Sequence, residues 1–169
     1  DLNNGPGCPP GALNTHPENP MTQENTFIPF HFNAGTLNVP RDWRDVSMLV
    51  LTSPDDKNGS SFTLSRDTLP WGLDFPQFAE REITSLSQQL KDWQLIAQEP
   101  GQLNGGDTLT AEFTWDSPQG PLHQLMMMLS LPHQVLILTG TCNGAMTPAQ
   151  RAQMLAIMTS FQARPGEEP

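Results

Sequence analysis

Between Ser117 and Gln150 the chain has no Asp, Glu, Lys or Arg, although its formal charge is −10. Basic residues are scarce throughout: eight in 169, thinly spread. That excludes nucleic acid and anionic lipid as partners, because phosphate backbones and headgroups are repelled by an acidic surface. Cysteine is nearly absent, with Cys8 and Cys142 at opposite ends. A disulfide framework is therefore excluded, and a reducing compartment fits. The N-terminus lacks the basic and apolar regions of a signal peptide, which makes the cytoplasm the expected location. No apolar run reaches the roughly 20 residues of a membrane span, so direct membrane insertion is not expected.

The residues of catalysis and metal binding are equally sparse. No glycine-rich phosphate loop is present, and Gly105-Gly106-Asp107 signals only a turn. His31, His123 and His133 lack metal-ligand spacing. Met126, Met127 and Met128 alternate between the faces of a strand and cannot converge on a soft metal. Asp42 and Asp45 bracket Trp43-Arg44 in a loop, and Asp55-Asp56 belongs to a turn. Arg66-Asp67 reads as an ion pair or loop anchor, and Cys142 as a small buried hydrophobe. No enzyme, metal or cofactor is expected.

What the chain does have is strand-length apolar segments. Residues 1–20, rich in Asn, Pro and Gly, read as a disordered extension before Met21, and 163–169 as a disordered tail. Between them, residues 21–162 form one expected domain. Strands are predicted at 27–32 and 36–39, turning at Asn33-Ala34-Gly35, then at 46–52 and 60–66 with a hairpin turn between. Asp74 is a predicted N-cap with Pro76 in the first turn, opening a helix from Phe75 to about Trp93. Its apolar stripe is Phe75, Phe78, Ala79, Ile83, Leu86, Leu90 and Trp93. Strands follow at 94–99, 109–115, 122–131 and 135–139. A last helix, capped by Thr147 with Pro148 first, runs to Phe161. The order predicts an α+β fold with a mostly antiparallel sheet.

Period-two alternation sorts the strands into two faces. One set, Leu49, Leu51, Phe62, Leu64, Leu125, Met127, Leu129, Leu136 and Leu138, is large and apolar, as expected under the protein's own helices. The other holds Val46, Met48 and Val50, then Ser61, Thr63 and Ser65. It continues with Leu122, Gln124, Met126 and Met128, and with Val135, Ile137 and Thr139. This face is apolar, dotted with small hydroxyls and free of charge, a composition shared with helix–helix contacts in membranes. It is either a second core layer or a binding face.

Three short signatures carry a family resemblance: Gly35-Thr-Leu-Asn-Val-Pro-Arg-Asp-Trp-Arg-Asp-Val46, Ser61-Phe-Thr-Leu-Ser-Arg-Asp67, and Gly120-Pro-Leu-His-Gln-Leu with Leu138-Thr-Gly-Thr141 and a closing Ser160-Phe161. In order and spacing they resemble the DcrB-like family, specifically the Eag chaperones of bacterial type VI secretion, from Phe27 to Gln162. The resemblance implies a curved antiparallel sheet flanked by helices, similar to Mog1 and PsbP proteins. It implies a cytoplasmic homodimer in a Gram-negative bacterium that holds the N-terminal transmembrane segments of a secreted Rhs or PAAR toxin and helps load it onto the secretion spike. On that reading the client helix lies on Val46, Met48, Val50, Ser61, Thr63, Ser65, Leu122, Gln124, Met126, Met128 and Ile137, with Leu86 and Leu90 at the rim. The alternative is a non-enzymatic binder of small hydrophobic ligands on the same fold, which predicts an enclosed pocket and a monomer.

Overall fold

The uncharged stretch forms the middle of a six-stranded, fully antiparallel sheet in a computed structural model that describes residues 26–54 and 59–165. The two predicted end segments and the tip of the 54–59 turn lie largely outside the described residues. The chain divides into two compact units, the first ending at Arg44 and the second starting at Asp45.

In the first unit β1 (Phe27–Phe32) and β2 (Gly35–Pro40) pair as an antiparallel hairpin, Phe27 opposite Pro40 and Phe32 opposite Gly35. The second unit runs β3 (Leu49–Thr52), β4 (Ser60–Asp67), α1 (Phe75–Gln89), β5 (Gln94–Leu103), β6 (Gly106–Ser117), β7 (Gly120–Ser130), β8 (Val135–Asn143) and α2 (Pro148–Thr159). The strand order is β3-β4-β8-β7-β6-β5, so β7 and β8 are central and buried on both faces. The predicted α+β class is the observed one.

Both helices begin as their sequences dictate. The Asp74 side chain accepts from Gln77 N at 2.9 Å while Gln77 reaches back to Asp74 N, and Thr147 and Gln150 repeat this box at α2. Helix α1 stops at Gln89 rather than Trp93, because Asp92 takes a positive φ in the turn that leads into β5. Strand β3 starts at Leu49, not Val46: Asp45 binds Ser47 N and Ser47 Oγ, and also pairs with Arg66, which holds residues 45–47 out of the ladder.

The two helices take opposite faces of the sheet. Helix α2 lays Met154 and Met158 on Phe62, Leu125, Met127, Leu129, Leu136 and Leu138, the large apolar set predicted to face helices. Helix α1 covers the other face at β6 and β7, where Phe75, Phe78 and Ile83 meet Ala111, Phe113, Met126, Met128 and Val135. Where α1 covers it, this second face is a core layer, one of the two readings the sequence allowed.

Candidate binding face

Cross-strand partners in an antiparallel ladder share a face. On the α1 side of the sheet, Thr52, Ser61, Thr141 and Gln124 form one row across β3, β4, β8 and β7. Val50, Thr63, Thr139 and Met126 form the next, and Ser65, Ile137 and Met128 a third. Helix α1 sits over the β7 end of these rows. It reaches onto β8 at Val135 and Ile137, the latter half-buried against the α1 cluster, while Ser61, Thr63, Ser65 and Thr139 are half-buried outside that cluster.

Met126 and Met128 therefore leave the predicted binding set. They are 5% and 0% exposed beneath α1, whose aromatic stripe requires an apolar floor. Leu86 and Leu90 are half-buried against the same core cluster. Gln124 is already engaged: Trp115 Nε1 donates to its Oε1 at 2.6 Å, and its Nε2 donates to Thr141 Oγ1 at 2.9 Å. Leu122 is half-buried one row beyond, opposite Asn143. Val46 and Met48 precede β3, outside any ladder, and are 83% and 60% exposed; Val50 is exposed within it. The structure thus joins Val50, Ser61, Thr63, Ser65 and Ile137 into one patch, and adds Thr139 and Thr141 of β8.

Among the described residues the side chains of Ser61, Thr63, Ser65 and Thr139 have no hydrogen-bond partner. On the described strands of this face, charge is found at the end where Asp67 lies opposite Val135. Three strands at about 4.8 Å spacing make a floor roughly 14 Å wide, against an α-helix diameter of about 10–12 Å. One helix fits that width beside α1. The hydroxyls would offer donors where its backbone comes close.

Two further features were not foreseen. A polar cluster anchors α2: Glu112, buried in the sheet, accepts from His123 Nε2 and Arg151 Nε, both at 2.9 Å. Met146 N donates to His123 Nδ1 at 2.9 Å, which leaves the ring proton on Nε2 facing Glu112. Burial works to raise the Glu112 pKa, but the bonds from Arg151 and His123 outweigh it and hold the carboxyl below the ordinary glutamate value. No spacing rule links residues 112, 123, 146 and 151; only the β6-β7 register and the α2 start bring them together. The second feature is a cleft of about 550 Å³ between α1 and the β5-β6 hairpin, floored by Phe75, Ala79, Ile83 and Leu109 and rimmed by Glu80 and Asp107. Among the described residues no group of His, Cys, Asp and Glu could hold a metal, and no helix is long and apolar enough to cross a membrane. Cys142 is fully buried beside Ser60, the small-hydrophobe role expected of it.

A family profile described as DcrB matches residues 34–160, more than half of the chain. The chain belongs to the DcrB family. Its fold is that of PA94 from Pseudomonas aeruginosa, a protein of unknown function, whose crystal structure superposes with a TM-score of 0.71 at 20% identity, covering 82% of this chain and 98% of that one. The solution structure of cyanobacterial PsbP (CyanoP) from Synechocystis sp. PCC 6803 gives a TM-score of 0.49 at 9% identity over 85% of this chain and 96% of the other. No curated protein matches the chain.

Proposed function

We propose that this DcrB-family chain is a non-enzymatic chaperone and adaptor that shields an apolar helix of a client protein on the open half of its sheet. The resemblance to Eag chaperones names the client class: the N-terminal transmembrane region of a secreted PAAR or Rhs-type toxin, delivered to a type VI secretion spike from the cytoplasm of a Gram-negative bacterium by a chaperone homodimer. The observation that carries the reading is the patch on β3, β4 and β8, where Ser61, Thr63, Ser65 and Thr139, unpartnered among the described residues, lie beside Val50 and, at the α1 border, Ile137, with no charge on the described residues between them. The apolar part supplies affinity, and each hydroxyl bond to the client adds about 0.6 kcal/mol on the membrane-protein scale.

The test is co-expression with the N-terminal hydrophobic region of a neighbouring effector, affinity capture, and size-exclusion chromatography with light scattering. A soluble complex is expected with the wild-type chain. Thr63→Lys or Ser65→Lys should lower capture at least tenfold with an unchanged circular dichroism spectrum. A folded Thr63→Lys protein that still keeps the client soluble removes this face from consideration.

The cleft between α1 and the β5-β6 hairpin favours a second reading, a carrier of small hydrophobic ligands. It is an open cleft rather than the enclosed pocket such a carrier is expected to have. Ile83→Trp would fill it; loss of a co-purifying apolar ligand in that variant, with client capture unaffected, would favour the carrier.

A further inference from the structure

The cleft between α1 and the β5-β6 hairpin follows from the periodicity of both walls. On α1, Phe75, Ala79 and Ile83 recur every four residues toward the sheet, and Glu80 and Thr84 form the next row outward. On the hairpin, Gln98 lies opposite Ala111, Pro100 opposite Leu109 and Gln102 opposite Asp107, alternate positions that share the α1 side. The helix packs on Ala111 and Phe113 of β6 and on Met126 and Met128 of β7. Nearer the hairpin tip, Pro100, Leu109 and Asp107 line a space of about 550 Å³, within the range of small-molecule sites. This space lies at the β5 end of the sheet, whereas the client patch lies at the β3 end.

Charge defines what the cleft can hold. The described ionisable side chains that line it are two carboxylates, Glu80 on the helix wall and Asp107 on the hairpin lip. Among the described residues no Lys, Arg or His pairs with either. Asp107 accepts a long bond, 3.3 Å, from Gln102 Nε2. Arg81, next to Glu80, is engaged over the Phe78 ring at 5.5 Å and lies 4.0 Å from Glu82. Thr84 and Gln98 complete the rim and are neutral. An apolar floor beneath two unpaired carboxylates matches a molecule with an apolar body and a positive head. Anions are repelled by the rim and by the net charge of −10. The same argument sets aside the chain's own ends. Residues 1–25 carry Asp1, Glu18 and Glu24 without a Lys or Arg, and residues 166–169 carry Glu167 and Glu168.

We infer that this cleft binds a small amphiphilic cation, an aliphatic or aromatic body bearing one ammonium or guanidinium group. The body lies on Ala79, Ile83, Pro100 and Leu109, and the head meets Glu80 and Asp107 at the rim. The inference rests on the carrier reading of the cleft given above and supplies the ligand class which that reading leaves open. It is independent of the client patch.

The experiment titrates the full chain with three probes of one chain length, octylammonium, 1-octanol and octanoate, by isothermal calorimetry and NMR shift mapping. Octylammonium is expected to bind about fivefold or more tighter than octanol, and octanoate not measurably, with shifts centred on Ala79, Ile83 and Leu109. Glu80→Gln and Asp107→Asn should each weaken octylammonium about two- to fivefold, the scale of an exposed ion pair, and leave octanol unchanged. Glu99→Gln combined with Asp116→Asn removes two carboxylates outside the cleft and should change neither. Equal binding of octylammonium and octanol would overturn the inference and keep the carrier reading. Binding of neither probe would overturn both. Octylammonium weakened as much by the outside pair as by the cleft pair would show attraction to net charge alone, and would likewise overturn it.

Discussion

Glu112 shows how one side chain ties sheet and helix together. Its carboxylate is shared between His123 of β7 and Arg151 of α2, and the far nitrogen of the same imidazole caps Met146 N at the entry to that helix. Because the folded pKa lies below the unfolded one, the stabilisation is complete above the ordinary glutamate range near pH 4.3 and is lost as pH falls through the folded value. Asp45, lowered by its Ser47 bonds and by Arg66, has the same sign. Glu82 has the opposite one: burial and nearby Asp67 raise its pKa, so its protonation favours the folded state on acidification. Glu112→Gln isolates the first contribution. It should cost about 1–2 kcal/mol at pH 7, toward the low end because the Arg151 side chain is 44% exposed, and progressively less at acid pH as the carboxyl becomes protonated. Urea denaturation of both proteins at the two pH values measures this, and an equal cost at both would show that the cluster acts through shape rather than charge.

At the scale of elements, the meeting of α2 with the sheet depends on a missing side chain. Gly140 of β8 lies between Phe62 and Leu125 in the ladder, and a Cβ built there would sit 2.5 Å from Met154 Sδ and 2.7 Å from its Cγ. Gly140→Ala should therefore push α2 outward and cost about 1–3 kcal/mol, lowering the melting temperature by several degrees. Met154→Ala should cost less in that background than in the wild type, and a double-mutant cycle with no coupling would refute the close approach. The elements themselves were legible before any coordinates. Asp74, Pro76, Thr147 and Pro148 mark helix starts through local hydrogen bonds and a fixed φ, and alternation on β4, β7 and β8 sorts their faces correctly. What the sequence could not convey is which helix lies on which face. The α1 stripe is compatible with either, and its choice of the Met126–Met128 face halves the open patch. The start of β3 was misread for a related reason: Val46 and Met48 continue the apolar pattern, but the Asp45 bonds to Ser47 and Arg66 override it. Glu112, His123 and Arg151 each look unremarkable alone because their association exists only in three dimensions.

For the whole molecule, the decisive quantity is how charge is distributed over its length. The deficit of ten positive charges falls outside residues 26–54, and the central strands carry none of it, so the apolar surfaces and the charged surface are separate. On the proposed reading such a molecule offers uncharged faces to a client helix and to a second copy, and its net charge opposes self-association only at long range. Salt then has a defined sign. The Debye length falls from about 10 Å at 0.1 M to about 3 Å at 1 M, which screens the repulsion between two acidic copies but leaves an uncharged contact intact. The dissociation constant of the proposed homodimer, measured by sedimentation equilibrium, should therefore decrease between those concentrations, with sodium chloride as the salt. An interface built on ion pairs, through Arg41 or Arg44 meeting the acidic body of the partner, would respond in the opposite direction. Weakening with salt would thus place the contact between copies on the charged surface, and with it the position of the client patch relative to the two-fold axis.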